Sequence, residues 1–159
     1  VLDDVERFYL AMVTGAAAPR AASGRALLLE LGRVYARSVD SHFDHARIWL
    51  DWSTAVGDAL WQRYLAVNRR IERLVARIIR RGQRDGSVAA DVIAEDAARL
   101  FVAASYAVVQ MKVTRAPDAT VERFLASAVR AVAGHPGSAR RGSAGAASVR
   151  SRGAPSRPR

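Results

Sequence analysis

The sequence predicts an all-α protein. Apolar residues recur at helical spacing across residues 1–134, and no segment shows the sustained alternation of a half-buried strand. Gly- and Pro-containing turns separate six such segments. At 159 residues, half of them apolar, the chain has the length of one domain with a substantial core. We therefore expect six helices and no sheet.

Three short helices come first. The first is expected to end near Gly15, before a loop over residues 16–24; the second ends near residues 39–41, and the third runs from about 44 to 54, with Gly57 as the break. The core-facing positions of the first two helices are Leu2, Val5, Tyr9, Met12, Val13, Leu27, Leu28, Leu31, Val34 and Tyr35. Their spacing places each set on one helix face.

The fourth helix is long, from about 58 to 84, and Gly86 is suited to its C′ position. One face carries Ile71, Leu74, Val75, Ile78 and Ile79, and the opposite face carries Arg70, Arg73, Arg77, Arg80, Arg81 and Arg84. Asp91 is a candidate N-cap for a fifth helix that ends near Val113. Pro117 and Asp118 open the sixth, and Gly134 ends it.

All three tryptophans fall between residues 47 and 68. Trp49, Trp52 and Val56 have the spacing of one helix face, and a second stripe follows at Leu60, Trp61, Tyr64, Leu65 and Asn68. Such a cluster of rings forms either a dense core or the wall of a small-molecule pocket. Asn68 favours the pocket, because a buried amide needs hydrogen-bond partners that aliphatic walls do not offer.

Composition excludes several classes of site. With no cysteine, the chain has no disulfide, thiolate metal site or cysteine nucleophile. The lone histidine pair, His42 and His45, has helical spacing but no third ligand with supporting spacing, so we expect no metal. Neither a catalytic constellation nor a phosphate-binding loop is present, so we expect no enzyme activity and no cofactor.

The charge and the apolar runs bear on location and partners. No apolar run reaches the roughly 20 residues that span a bilayer, and the acidic start is unlike a signal peptide; we therefore expect a cytoplasmic protein without membrane contact. More than half of the formal charge of +10 comes from six arginines beyond Pro136. Residues 135–159 are rich in Arg, Gly, Ser and Pro and are expected to be a disordered tail.

The last two predicted helices are apolar and rich in alanine, which allows helices to approach closely. Such faces either close the core of the chain or continue into a second copy, as in a twofold four-helix interface. We expect a homodimer. The predicted interface residues are Leu100, Ala104, Val108, Val121, Phe124, Leu125, Ala128 and Val129.

Three segments carry a resemblance to a known family: RIWLDWSTAVGDALWQRYLAVNRRIE, RRGQRDGSV and EDAARLFVAASYAVV. Together they resemble the C-terminal regulatory domain of TetR-type transcriptional regulators, and most of all the LuxR/HapR quorum-sensing branch. The residues that match the Trp-rich pattern of that branch are Trp49, Asp51, Trp52, Ser53, Asp58, Trp61, Tyr64 and Asn68. The likeness extends from the opening VLDDV to about Val132.

The resemblance implies a six-helix ligand-binding and dimerisation domain over residues 1–134. In that family an N-terminal helix-turn-helix binds DNA; the chain begins at Val1, in what resembles the helix after that unit, so we expect the unit upstream. A small-molecule effector shifts the linking helix and alters the spacing of two DNA heads about 34 Å apart. The pocket positions carried over are Tyr9, Met12, Val13, Trp49, Tyr64, Asn68 and Phe101, together with Glu72, where the branch usually has Gln.

Two other functions remain open. The chain could be a helical homodimerisation module without a ligand, which a filled space beside Trp49 and Asn68 would favour. It could also be a basic nucleic-acid-binding protein that acts through the arginine stripe at residues 70–84 and the tail. A solvated helix face is the alternative interpretation of that stripe, because the arginines alternate regularly with apolar positions.

Overall fold

The structure, a computed structural model, describes residues 2–19 and 21–134, which form six α-helices and no strand. In chain order the helices are α1 (Leu2–Ala17), α2 (Gly24–Ser41), α3 (Phe43–Thr54), α4 (Ala59–Asp85), α5 (Ala94–Val113) and α6 (Asp118–Ala133). The all-α prediction is confirmed. The tail predicted over residues 135–159 lies outside the described residues.

Helices α2 and α4 organise the bundle. α2 contacts each of the other five helices, and α4 contacts α1, α2, α3 and α5. Where α2 begins, its backbone lies directly on the end of α4: a Cβ atom added to Gly24 would come 2.3 Å from the backbone nitrogen of Gly82. Only glycine permits this approach. Further along the two helices, Leu28 of α2 and Ile79 of α4 belong to the same core cluster and have no solvent exposure.

The helix ends follow the sequence signals with two exceptions. Gly86 adopts the left-handed conformation (φ 77°) at the end of α4, as its place in the sequence predicts. Asp91 was expected to cap α5, but the helix starts later, at Ala94, and its N-cap is Ile93, which makes no side-chain cap bond. α1 also continues past Gly15 to Ala17, because Gly15 does not take a positive φ and alanines that favour a helix follow it.

The two faces of α4 separate as the sequence predicts. Ile71, Val75 and Ile79 are buried, and five of the six arginines of the opposite stripe are exposed. Arg81 is the exception. It is partly buried and donates a 2.7 Å hydrogen bond to the carbonyl of Ala22, which holds the loop before α2 against α4.

No helix in the described part of the chain combines the length and the apolar character needed to cross a bilayer.

Candidate ligand-binding cavity

The tryptophan block lies in the interior where α3 and α4 meet α1. Trp49 and Trp52 of α3 are 8% and 3% exposed. The Trp49 ring lies 5.0 Å from Tyr9 of α1 and 4.9 Å from Tyr64 of α4, between ring centroids. Trp61 stacks on Tyr64 from the outer side, at 5.3 Å. A chain of aromatic contacts therefore joins three helices, with Trp49 at its centre.

Val56 does not share the face of Trp49 and Trp52, contrary to its spacing. α3 ends at Thr54, and Val56 lies in the following turn with 75% of its surface exposed. The spacing argument was wrong there because it assumed that helical geometry continues to residue 56.

Two adjoining chambers border Trp49. The first, of about 70 Å³, is almost wholly apolar and receives side chains from all six helices. Its walls include Tyr9, Met12, Val13, Leu31, Tyr35, Trp49, Ile71, Val75, Phe101, Ala104, Leu125 and Ala128. The second, of about 150 Å³, is more polar. Its walls include Tyr35, Trp49, Leu50, Ser53, Tyr64, Asn68, Glu72, Arg99, Val102, Ser105 and Tyr106.

We name these the apolar chamber and the polar chamber. They share four wall residues, Tyr35, Trp49, Val102 and Ser105. A molecule that occupies both would therefore pass between Trp49 and α5. All eight residues that the sequence analysis places around a pocket line one chamber or both. That they bind a ligand stays a prediction.

The polar chamber contains an unsatisfied hydrogen-bond acceptor. Asn68 Nδ2 donates to Glu72 Oε1 at 2.7 Å, one turn further along α4. Asn68 Oδ1 is buried and has no hydrogen-bond partner, the only such side-chain atom among the described residues. A buried acceptor without a donor costs about 1–3 kcal/mol. This is a position at which a bound molecule would recover free energy.

Glu72 is partly paired. Its Oε2 atom lies 4.0 Å from Arg99 Nε, beyond hydrogen-bonding distance, while Arg99 itself donates to Asp96 at 3.1 Å. The Glu72 side chain is 21% exposed and Arg99 is 65% exposed. The carboxylate therefore keeps one oxygen available at the edge of the polar chamber.

Three tyrosines of the cavity, Tyr9, Tyr35 and Tyr64, stay neutral at physiological pH. Burial raises the pKa of Tyr35 to about 12, against an opposing effect of a hydrogen bond from Ser105. Burial, with the negative charge of Glu72, also raises the pKa of Tyr64. Burial raises the pKa of Tyr9 strongly. These phenols therefore supply ring surface and neutral hydroxyl groups rather than charge.

Helix α1 is joined to the cavity by contacts and by ion pairs. Tyr9, Met12 and Val13 enter the wall of the apolar chamber. On the outer side, Arg63 of α4 pairs with Asp3 and with Glu6 of α1, and this contact lowers the pKa of Asp3. Ion pairs to α4 therefore hold the N-terminal part of α1, and the middle of α1 lines the cavity.

The residues predicted for a dimer interface fall into different environments. Four are at most 5% exposed and belong to the core of the chain: Val108, Val121, Leu125 and Val129. Their side chains pack toward α2, with Leu125 against Gly32, so they are not surface residues. Ala104 and Ala128 line the apolar chamber, and Phe124 is partly buried. Leu100 is 65% exposed. The interface itself stays a prediction.

The histidine pair is packed against an aromatic ring. His45 stacks on Phe8 with ring centroids 4.8 Å apart, and the His42 ring lies at the same centroid distance from Phe8, tilted by 41°. Among the described residues, no group of three His, Asp or Glu side chains is arranged to hold a metal ion.

Sequence reasoning did not assign many of the wall residues to the pocket, among them the four residues Leu31, Tyr35, Val102 and Ser105. Tyr35 and Leu31 had been assigned to the core face of α2, and they do lie there, but that face also borders the apolar chamber. Ser105 and Val102 belong to α5 next to Phe101. The one sequence signal for this part of the wall is Ser105, a small hydroxyl residue within the apolar stripe of α5.

Comparison with family models, with characterised proteins and with solved structures gave no match to this chain.

Proposed function

We propose that the chain is the effector-binding and dimerisation domain of a TetR-type transcriptional regulator. The observation that carries the proposal is the paired cavity beside Trp49, with an apolar end, a polar end and an unpaired buried acceptor. The resemblance of the tryptophan block to the LuxR/HapR branch supports the same function. The protein acts as a sensor and not as an enzyme in this proposal.

The mechanism would couple the cavity to α1. A ligand between Trp49 and α5 would contact Tyr9 or Met12 and so shift α1 relative to α4. In a regulator of this type α1 leads into the DNA-binding unit, and in a dimer a small shift changes the spacing of the two heads on the operator. DNA would be bound through that N-terminal unit.

The size of the cavity limits the ligand. A cavity of about 150 Å³ is large enough for a benzene-sized ring, whereas typical sites for larger ligands measure about 300–1,000 Å³. The chambers as they stand would accept a single ring with a short substituent. A larger effector would have to displace side chains, and Trp49 is the largest of the four residues that border both chambers.

Thermal unfolding with small probes tests the sensing function. Toluene, benzyl alcohol and benzylamine are added at increasing concentrations to the protein and to its Trp49→Phe and Trp61→Phe variants. At least one probe should raise the Tm of the native protein, because a molecule that binds only the folded state stabilises it. Trp49→Phe should change that increase, while Trp61→Phe, whose ring lines neither chamber, should leave it in place.

A helical dimerisation module without a ligand is the second candidate. The small volume of the apolar chamber, about 70 Å³, favours it. If no probe raises the Tm at millimolar concentration while the protein remains a dimer, this second function replaces the first.

A further inference from the structure

Asn68 and Glu72 form an acceptor-rich end of the polar chamber. They lie one turn apart on α4, joined by the bond from Asn68 Nδ2 to Glu72 Oε1. The other amide atom, Asn68 Oδ1, has no partner. Within the described part of the chain, the remaining Glu72 oxygen has no hydrogen bond either, since Arg99 Nε is 4.0 Å away.

The identity of the unpaired amide atom follows from chemistry. An ionised carboxylate only accepts hydrogen bonds, so the amide nitrogen of Asn68 must face Glu72. Turning the amide over would bring two acceptor oxygens to 2.7 Å from each other. Asn68 therefore presents its carbonyl oxygen to the interior, and the missing partner has to be a hydrogen-bond donor.

The walls beside these acceptors suit a positive charge. Trp49 and Tyr64 both line the polar chamber, and aromatic rings attract cations. Tyr64 remains neutral because burial raises its pKa, and Glu72 adds a full negative charge. An ammonium group carries three donors and a charge that neutral donors lack.

We infer that the polar chamber binds the protonated amine of a small aryl- or alkylamine. The ammonium group donates to Asn68 Oδ1 and to the free oxygen of Glu72, and the apolar body lies along Trp49 toward the apolar chamber. This inference rests on the proposed function and names the chemical class of its effector. The polar chamber, about 150 Å³, has the size of a cavity that holds a benzene ring, and the adjoining apolar chamber adds about 70 Å³ for the rest of such an amine.

Arg99 would compete with a bound amine for the carboxylate of Glu72. It approaches the carboxylate only loosely and is 65% exposed, with Asp96 as its nearer partner. An exposed pair of this kind contributes little, so an amine can displace it at small cost. Removing the charge of Arg99 should therefore strengthen amine binding, opposite to the effect of removing the charge of Glu72.

Calorimetric titration of benzylamine, benzyl alcohol and toluene tests the inference. In the native protein we expect benzylamine to bind about tenfold more tightly than benzyl alcohol, because a charge-assisted hydrogen bond is roughly twice as strong as a neutral one. Glu72→Gln, which keeps the size of the side chain, should bring benzylamine down to the level of the alcohol. Arg99→Gln should increase benzylamine affinity and leave the alcohol unchanged. Glu95→Gln, an exposed carboxylate of α5 outside the polar chamber, is the matched control and should change neither.

The outcomes separate this inference from the function on which it rests. If benzyl alcohol or toluene binds as tightly as benzylamine, or if Glu72→Gln leaves benzylamine binding intact, the amine assignment is overturned while the ligand-binding function stands. If none of the three probes binds, both are overturned. Circular dichroism and the Tm of Glu72→Gln establish that a loss of binding does not come from unfolding.

Discussion

At the scale of single residues, position 72 decides the chemistry of the cavity. A neutral Gln there could accept from or donate to Asn68, so either the oxygen or the nitrogen of the Asn68 amide could be the atom left without a partner. Glu72 permits one arrangement only, which leaves Asn68 Oδ1 without a donor. The carboxylate at position 72 therefore determines that the missing partner is a hydrogen-bond donor.

Asn68→Leu should increase the stability of the free protein while it removes ligand binding. Leucine has a similar volume and eliminates a buried acceptor without a partner. It also removes the donor to Glu72 Oε1, but the Glu72 side chain is partly exposed and water can replace that donor, so we expect a net gain of about 1 kcal/mol in the free energy of unfolding. Urea denaturation at pH 7 measures it. Asn68→Asp is the opposing variant: it places a carboxylate beside Glu72 and should destabilise the protein at pH 7. A Leu variant as unstable as the Asp variant would contradict the assignment of Oδ1 as unpaired.

At the scale of helices, apolar spacing predicted the elements well, because each helix buries one continuous stripe. What it could not predict is where local hydrogen bonding ends a helix. Val56 has the spacing of the Trp49 face, yet it lies in the turn after Thr54 and is exposed. Asp91 lies two residues before Ile93, the actual N-cap of α5, and so is too early in the chain to cap that helix. The cavity was predicted only as a set of positions. Whether Asn68 Oδ1 is paired depends on the orientation of its side chain, and the spacing of residues in the sequence does not predict that orientation.

The crossing of α2 and α4 depends on glycine at position 24. Gly24→Ala would place a methyl group 2.3 Å from the backbone of Gly82, so the helices must separate. We expect a loss of about 2–3 kcal/mol, at the upper end of overpacking effects. Gly15→Ala in α1 is the control: nothing lies within 4 Å of the added carbon, and the better helix former should add about 0.5 kcal/mol. Equal effects of the two substitutions in urea denaturation would refute the close approach.

The same crossing makes the stability depend on acid pH. Asp85 at the end of α4 accepts from the backbone nitrogen of Gly24 at 2.8 Å and from that of Ser87 at 3.0 Å. Hydrogen bonding from Ser87, and then from Gly24, lowers the pKa of Asp85 below its ordinary value of 3.8. A lowered pKa means that the folded state favours the charged form. The contribution is therefore complete above pH 3.8 and is lost as the pH falls through the folded-state pKa.

Asp85→Ala should accordingly be less stable than the native protein at pH 6, and the difference should shrink as the pH falls below 3.8. Urea denaturation of both proteins from pH 6 to acid measures the difference at each pH. A difference that is constant over this range would show that the charge of Asp85 does not stabilise the crossing.

At the scale of the whole molecule, the prediction of a homodimer depends on which predicted interface residues lie on the surface of the chain. Four of them are buried in the core, Ala104 and Ala128 line the apolar chamber, and Leu100 is strongly exposed. The sequence alone could not separate exposed positions from buried ones, because both α5 and α6 are apolar around most of their circumference. The structure separates the buried residues from the exposed ones, and Leu100 is therefore the residue at which a substitution tests the dimer.

Leu100→Glu should convert a dimer to a monomer without unfolding it, because the side chain is exposed in the chain and a charge in an apolar interface is unfavourable. Val113→Glu introduces the same charge at an exposed position elsewhere on α5 and should leave the dimer intact. Light scattering after size exclusion gives the mass of each. A native protein that is already a monomer at high concentration would contradict the dimer.

The central claim is that a small molecule enters the cavity beside Trp49, and nuclear magnetic resonance tests it most directly. The three tryptophans give three indole N–H signals, which Trp→Phe variants assign to Trp49, Trp52 and Trp61. During titration with toluene, benzyl alcohol and benzylamine, at least one probe should shift the Trp49 signal in a saturable manner while the Trp61 signal moves little. If no probe shifts the Trp49 signal, or if all three signals drift together without saturation, the cavity is not a binding site.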